Sequence, residues 1–151
     1  MNHKLIVAQT QTENEALEHV TRALETAIAW VVEGDDLGRK LSSVRFATEL
    51  FQRQIERVFA LEEFDGYMDT VRRSHPEWTD QVEEFQREHE AFRAEVRKLV
   101  LRLDRTSPTD LPNLDAVGAD LRDVIQRILE HNRRESKLLV ESLQRDTGGQ
   151  G

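Results

Sequence analysis

The chain contains no cysteine, and this absence excludes several classes of site. Disulfides, thiolate zinc sites, cysteine-ligated iron–sulfur clusters and cysteine nucleophiles all need a thiol. A length of 151 residues is still enough to bury a core without covalent staples. We predict one domain over residues 1–151, with flexible termini at 1–11 and 146–151.

Long apolar runs are absent as well. Near the N-terminus only residues 5–8 are apolar, too few for the core of a signal peptide, and no segment reaches the roughly 20 apolar residues of a membrane span. The net charge is −8, whereas nucleic acids and anionic membrane surfaces attract basic proteins. We therefore expect a soluble cytoplasmic protein whose partners are neither nucleic acid nor membrane.

Proline and glycine are scarce, with 3 and 7 copies, and the few turn signals separate four long segments rich in helix-forming residues. The segments lie at about 12–32, 39–73, 76–104 and 114–147. Thr12 and Glu15 fit a capping box at the start of the first helix, and Gly34 follows its end. Pro76 suits the first turn of the third helix, and 106–113 is the one extended loop.

These segments predict an all-α fold. None of them shows sustained alternation of apolar and polar residues, so no sheet is expected. Long amphipathic helices joined by short connections pack as antiparallel neighbours. We therefore predict an up-down-up-down antiparallel four-helix bundle.

Polar residues interrupt the apolar faces of the predicted helices, at about 100° per residue. Five of them lie within these faces or at their edge: His19, Glu62, His89, His131 and Glu135. Counting residues from each turn brings four of them to one level, while His19 fits less well. His131 and Glu135 stand one turn apart on one face. Imidazole and carboxylate without thiolate suit iron, manganese or zinc, so we predict that all five are metal ligands.

The residues also permit a metal-free interpretation. A histidine on an apolar face is usually a hydrogen-bonded core residue. An uncompensated buried carboxylate costs several kcal/mol, and inward arginines can pair with it. Arg93, Arg127 and Arg134 lie near the edges of the apolar faces and are the candidates for such a network.

Four sequence segments resemble the hemerythrin family, in its bacterial HHE cation-binding branch. They are LEHVTRAL around His19, VFALEEFDGYM around Glu62, EEFQREHEAF around His89 and LEHNRRESKLL around His131 and Glu135. The resemblance covers most of the chain. It implies a four-helix bundle that holds two non-haem irons bridged by carboxylates, with the same five residues as ligands. It also implies binding of dioxygen, or sensing of oxygen, nitric oxide or redox state.

Two positions depart from the family pattern. Val58 stands where the second helix of the family has the histidine of its HxxxE motif. Phe85 replaces the first histidine of the HxxxH motif that oxygen carriers have in the third helix. Neither side chain binds metal, and Gln54 or Asp65 would compensate only in part. A di-iron site completed by water, a mononuclear site and a metal-free bundle all remain open.

The leading expectation is a binding or sensing protein rather than an enzyme. Its cofactor would be non-haem iron, with manganese or zinc as substitutes, and its ligand a diatomic molecule such as dioxygen or nitric oxide. A separate, unknown protein partner would receive any signal. The alternatives are a di-metal peroxidase or oxidase, which open coordination positions would permit, and a metal-free interaction module, which Val58 and Phe85 favour.

Overall fold

Helices make up almost all of the structure, a computed structural model that describes residues 3–64 and 66–148. The α-helices are α1 (His3–Ala29), α2 (Leu37–Glu63), α3 (Tyr67–Ser74), α4 (Thr79–Asp104) and α5 (Leu111–Gly148). Short 3-10 turns, Gly34–Asp36 and Pro76–Trp78, precede α2 and α4. No strand occurs within the described ranges, so the prediction of an all-α fold is confirmed.

The four long helices pack side by side, and α3 covers one end of them. Contacts join α1 to α2, α2 to α4, α4 to α5 and α5 back to α1. The buried apolar side chains form two clusters. The larger cluster includes Leu24, Phe51, Ile55, Val96 and Leu121, and the smaller one consists of Ile6, Tyr67, Met68, Val71, Val82, Phe85, Leu138 and Leu139. Along α4 and α5, a buried polar group separates the two clusters.

The first helix begins earlier than the sequence predicts. It starts at His3, so residues 3–11 are helical where a flexible terminus was expected. Thr12 is not an N-cap, because its hydroxyl donates to the carbonyl of Ala8 at 3.0 Å. A threonine inside a helix satisfies its hydroxyl in this way. At the other end α5 extends to Gly148, and residues 149–151 lie outside the described part of the chain.

The predicted second helix, 39–73, is two helices. The helix is interrupted between Glu63 and Tyr67, and Gly66 lies in this interruption. A Cβ atom added to Gly66 would lie 2.0 Å from the carbonyl oxygen of Leu61. Only glycine permits so close an approach of the chain to the end of α2. The break directs Tyr67 and Met68 into the interior, where they are 1% and 0% exposed.

The remaining connections lie close to their predicted positions. Gly34 has a φ of 58°, a conformation that favours glycine. The loop before α5 is shorter than predicted, since α5 begins at Leu111 with Pro112 in its first turn. None of the described helices has the length and apolarity that crossing a membrane requires.

We predict that Gly66→Ala lowers the free energy of unfolding by about 1–3 kcal/mol or more. The new methyl group would collide with backbone atoms that cannot move independently. Gly38→Ala is the matched control. A Cβ atom at Gly38 meets nothing within 4 Å, so this change should be neutral or stabilise by up to about 1 kcal/mol. Urea denaturation measures both, and equal stability of Gly66→Ala and the parent would contradict the account of the break.

Candidate metal centre

Four of the five predicted residues meet inside the bundle. Glu62 of α2, His89 of α4, and His131 and Glu135 of α5 are each at most 2% exposed. His89 Nε2 lies 2.8 Å from Glu135 Oε1 and 3.2 Å from Glu62 Oε2. His131 Nε2 contacts the same Glu135 oxygen. Ligating atoms of His89, His131 and Glu135 all lie within 4.8 Å of one another, so one ion can contact all three.

The structure does not bring His19 to this group. Its side chain is exposed, while Leu17 and Leu24 of the same helix are 1% and 0% exposed. The apolar face predicted for α1 combined Leu24 with alanines such as Ala16 and Ala23, which bury little area and define a face weakly, and His19 lay at its edge. At about 100° per residue, the two positions from Leu17 to His19 turn the imidazole away from the core. The expected inward placement of His19 is therefore wrong.

A carboxylate and an arginine lie behind the His89 ring. His89 Nδ1 is 2.8 Å from Glu63 Oε1, and Arg93 donates to both Glu63 oxygens at 3.0 and 2.9 Å. The ring also stacks on Phe59, with 3.9 Å between centroids. Nδ1 is thereby engaged on the outer side, and Nε2 is aimed at Glu62 and Glu135.

His131 repeats this arrangement on α5. Its Nδ1 contacts Glu88, and both Glu88 oxygens accept hydrogen bonds from Arg134, at 3.0 and 3.1 Å. Phe85 and Phe92 approach the ring edge-on, at centroid distances of 5.3 and 5.4 Å. A carboxylate behind each imidazole is the usual outer support of a metal-binding histidine, because it fixes the tautomer and makes the inner nitrogen more basic.

The arginines act differently from the metal-free network that the sequence suggested. Arg93 and Arg134 bind the outer glutamates Glu63 and Glu88, not the inner pair. Arg127 pairs with exposed carboxylates at the surface, those of Glu95 and Asp123. Glu63 and Glu88 were not predicted as site residues, since each belongs to a polar helix edge that looks like ordinary solvated surface in the sequence.

Burial and charge together set the protonation of the inner group. Burial raises the pKa of Glu62 well above its usual range, and the charge of Glu135 adds to this effect. Burial alone would lower the pKa of His89, but hydrogen bonds to the surrounding glutamates outweigh it and raise the pKa to about 11. Burial would raise the pKa of Glu63, yet hydrogen bonds from His89 and Arg93 hold it at about 2. Without a cation, burial and the charge of Glu135 therefore favour the neutral form of Glu62, and the surrounding glutamates favour the charged form of His89.

Glu135 and His131 face each other with two hydrogen-bond acceptors, a carboxylate oxygen and a ring nitrogen. Burial would raise the pKa of Glu135, but hydrogen bonds with Glu62 and His89 lower it, so this carboxylate is ionised. Burial lowers the pKa of His131. Because Nδ1 faces the acceptor Glu88, we assign the proton of the neutral ring to Nδ1. The Nε2 lone pair then points at Glu135 Oε1.

One polar atom of this group, His131 Nε2, is buried without any hydrogen bond, and it faces an oxygen of the ionised Glu135. Two buried acceptors that face one another are costly unless a cation lies between them. The donors are imidazole nitrogen and carboxylate oxygen, the set that iron, manganese and zinc accept. The residues present therefore fit a metal ion.

Tyr67 is a further polar side chain at this centre, and the sequence analysis did not identify it. Its hydroxyl donates to Glu135 Oε2. Burial raises the pKa of Tyr67 well above its usual range, and the charge of Glu135 adds to this. The one signal in the sequence is its position directly after Gly66, where a break in the helix changes which way the side chain points.

Nothing in the described chain replaces the two histidines that the family pattern would add. Val58 and Phe85 are buried, each at 1% exposure. Gln54 is committed to α1, since its amide donates to the carbonyl and the carboxylate of Glu13 at 3.0 and 2.8 Å. Asp65 lies outside the described residues. The donors thus gather around one centre.

No family model, curated protein or solved structure matches this chain. The resemblance to hemerythrins therefore stays a prediction, and any functional assignment must come from the geometry of the centre.

Proposed function

We propose that the protein binds a single non-haem metal ion, iron first of all, through His89, His131, Glu62 and Glu135. We further propose that the bound ion serves to bind or sense a diatomic molecule such as dioxygen or nitric oxide. One observation carries the proposal: His131 Nε2 faces Glu135 Oε1 without a hydrogen bond, deep inside the bundle. A cation is the simplest partner for two facing acceptors.

The charge of the centre agrees with a divalent ion. In the metal-free form the pKa shifts favour one proton on Glu62 and one additional proton on His89. A divalent ion that replaced both would leave the net charge unchanged. Ligands that are protonated in the free protein release their protons when metal binds.

Burial favours a small ligand over an organic substrate. The four donors are at most 2% exposed, and the rings of Phe59, Phe85 and Phe92 flank the two imidazoles. An iron ion would supply open coordination positions for a diatomic ligand. An oxidase or peroxidase remains the enzymatic alternative, and a test for peroxide consumption by the iron-loaded protein separates it from a binding or sensing role.

Contacts between the helices support the up-down-up-down bundle that the short connections predict. Arg45, early in α2, donates to the carbonyl of Leu103 at the end of α4 at 2.8 Å. Glu56, late in α2, binds Arg93, in the middle of α4, at 3.1 Å. The same reversal relates α4 to α5, in the pairs Arg102–Asp120, Glu95–Arg127 and Glu88–Arg134. In these pairs the residue numbers decrease along one helix while those of the partners increase along the next, as in antiparallel neighbours.

A metal-free polar network is the competing interpretation. Glu135 accepts hydrogen bonds from Tyr67 and His89, so it has partners without an ion. Because of these bonds, truncation of Glu135 should destabilise the protein in either case. The informative quantity is therefore the gain in stability that added metal produces.

We predict that Fe²⁺, added without oxygen, raises the melting temperature of the parent but not that of Glu135→Ala. A ligand that binds only the native state at a hundred times its Kd stabilises it by about 2.7 kcal/mol. Metal analysis of freshly purified protein should likewise find iron in the parent and little in the variant. Calorimetry and elemental analysis provide the two measurements.

The matched control for this experiment is His19→Ala. It removes a histidine that is exposed, so both the iron content and the metal-dependent rise in melting temperature should equal those of the parent. Equal responses of parent and Glu135→Ala would support the metal-free network instead.

We also predict that Val58→His increases the iron bound per chain at a subsaturating iron concentration. Val58 lies one turn before Glu62 on α2, so a new imidazole could share an ion with that carboxylate. Without metal the change should destabilise the bundle by about 1–3 kcal/mol, because a polar ring replaces a buried apolar side chain. Metal titration and thermal melting of the apo and iron-loaded forms measure both effects.

Val44→His separates a ligand effect from a packing effect. Val44 lies on the same helix and is equally buried, at 1% exposure, but it is several turns from the centre. It should lose stability and gain no iron. If Val58→His behaves in the same way as Val44→His, position 58 is not an emptied ligand site.

A further inference from the structure

We infer that Tyr67 is itself a ligand of the bound metal, through its phenol oxygen. The inference rests on the proposed function, since it assigns a further protein ligand to the same ion. The resemblance to hemerythrins did not assign this residue as a ligand, although it lies within one of the similar segments. The geometry around Glu135 carries the argument.

Glu135 connects Tyr67 to both imidazoles. One carboxylate oxygen, Oε1, contacts Nε2 of His89 and Nε2 of His131. The other oxygen, Oε2, accepts the hydrogen bond of the Tyr67 hydroxyl. The phenol oxygen is therefore separated from the two nitrogen donors by a single carboxylate group, and an ion bound by Glu135 would lie near it.

The composition of the centre leaves room for another anionic oxygen. Val58 and Phe85 occupy buried positions where the family pattern has two further donors. The proposed ligands supply two imidazole nitrogens and carboxylate oxygens. Non-haem iron held by two histidines and a carboxylate keeps further coordination positions open. Tyrosine oxygen is an established iron ligand in proteins, for example to haem iron.

The backbone holds Tyr67 at this place. Gly66 allows α3 to begin directly against the end of α2, where any Cβ atom would clash with the carbonyl of Leu61. Met68 and Val71, both 0% exposed, anchor α3 in the smaller apolar cluster. The phenol therefore cannot leave the centre without the loss of this packing.

Binding of the phenol requires the loss of one proton. The O–H bond of Tyr67 breaks as the bond from oxygen to metal forms, and the proton passes to solvent, with Glu135 Oε2 as the first acceptor. No oxidant or reductant takes part, because the metal keeps its oxidation state.

The test uses Fe³⁺ as the probe, because a phenolate bound to ferric iron has an intense visible charge-transfer band and characteristic ring vibrations in resonance Raman spectra. The chain contains a single tyrosine, so any such signal from the parent protein must come from Tyr67. We expect the band in the iron-loaded parent and its complete loss in Tyr67→Phe. The variant should still bind iron, since the other four residues remain.

A second tyrosine near the centre provides the control. Phe64 is 75% exposed and lies three residues before Tyr67, so Phe64→Tyr in the Tyr67→Phe background should not restore the band. Iron-loaded parent protein without the band would overturn the inference and leave the proposed function intact. A band that persists in Tyr67→Phe would overturn it as well. If the parent bound no iron, the proposed function would fail and the inference with it.

Discussion

Two imidazoles and two carboxylates lie where no solvent reaches them, and the rest of the structure serves to make their burial tolerable. An ionised group in such a place costs several kcal/mol unless charge and hydrogen bonds compensate it. Each imidazole has a glutamate behind it, and each of these glutamates has an arginine, in the series His89–Glu63–Arg93 and His131–Glu88–Arg134. Each outer glutamate therefore lies between an imidazole and an arginine, and the inner nitrogens of both imidazoles face the carboxylates at the centre.

The apolar framework positions this group and isolates it. One large cluster of side chains fills the bundle on one side of the centre, and a smaller one closes the other side. The smaller cluster depends on α3, which is a separate helix because the chain turns at Gly66 after the end of α2. The same interruption of the helix at Gly66 brings Tyr67 to Glu135, where its hydroxyl joins the polar centre.

The sequence predicts those parts of the structure that follow from local periodicity. The helical period gave the fold class, and residue counts from the turns placed Glu62, His89, His131 and Glu135 at one level. The prediction for His19 was wrong because the helical pattern of α1 consists largely of small residues, which define a buried face weakly. His19 was placed at the edge of the buried face because alanines were given the same weight as Leu24, whereas Leu17 and Leu24 together define that face in the structure.

Other features could not be predicted because they depend on contacts between helices. Thr12 resembles a helix cap in sequence, but a preceding turn of helix supplies the carbonyl of Ala8 to its hydroxyl. Glu63 and Glu88 look like surface residues until the neighbouring helix brings a histidine to each. Gly66 lies within a segment predicted as one long helix, and the inward turn of Tyr67 follows only from the close approach of the chain at Gly66 to the end of α2.

The central claim is that one metal ion lies among these four side chains, and an anomalous difference map from crystals of the iron-loaded protein, recorded at the iron absorption edge, tests it most directly. The account predicts one peak per chain, bonded to Nε2 of His89 and Nε2 of His131 and to carboxylate oxygens of Glu62 and Glu135. Two peaks at the centre, a peak at another histidine alone, or no peak in protein that has been exposed to excess iron would contradict it.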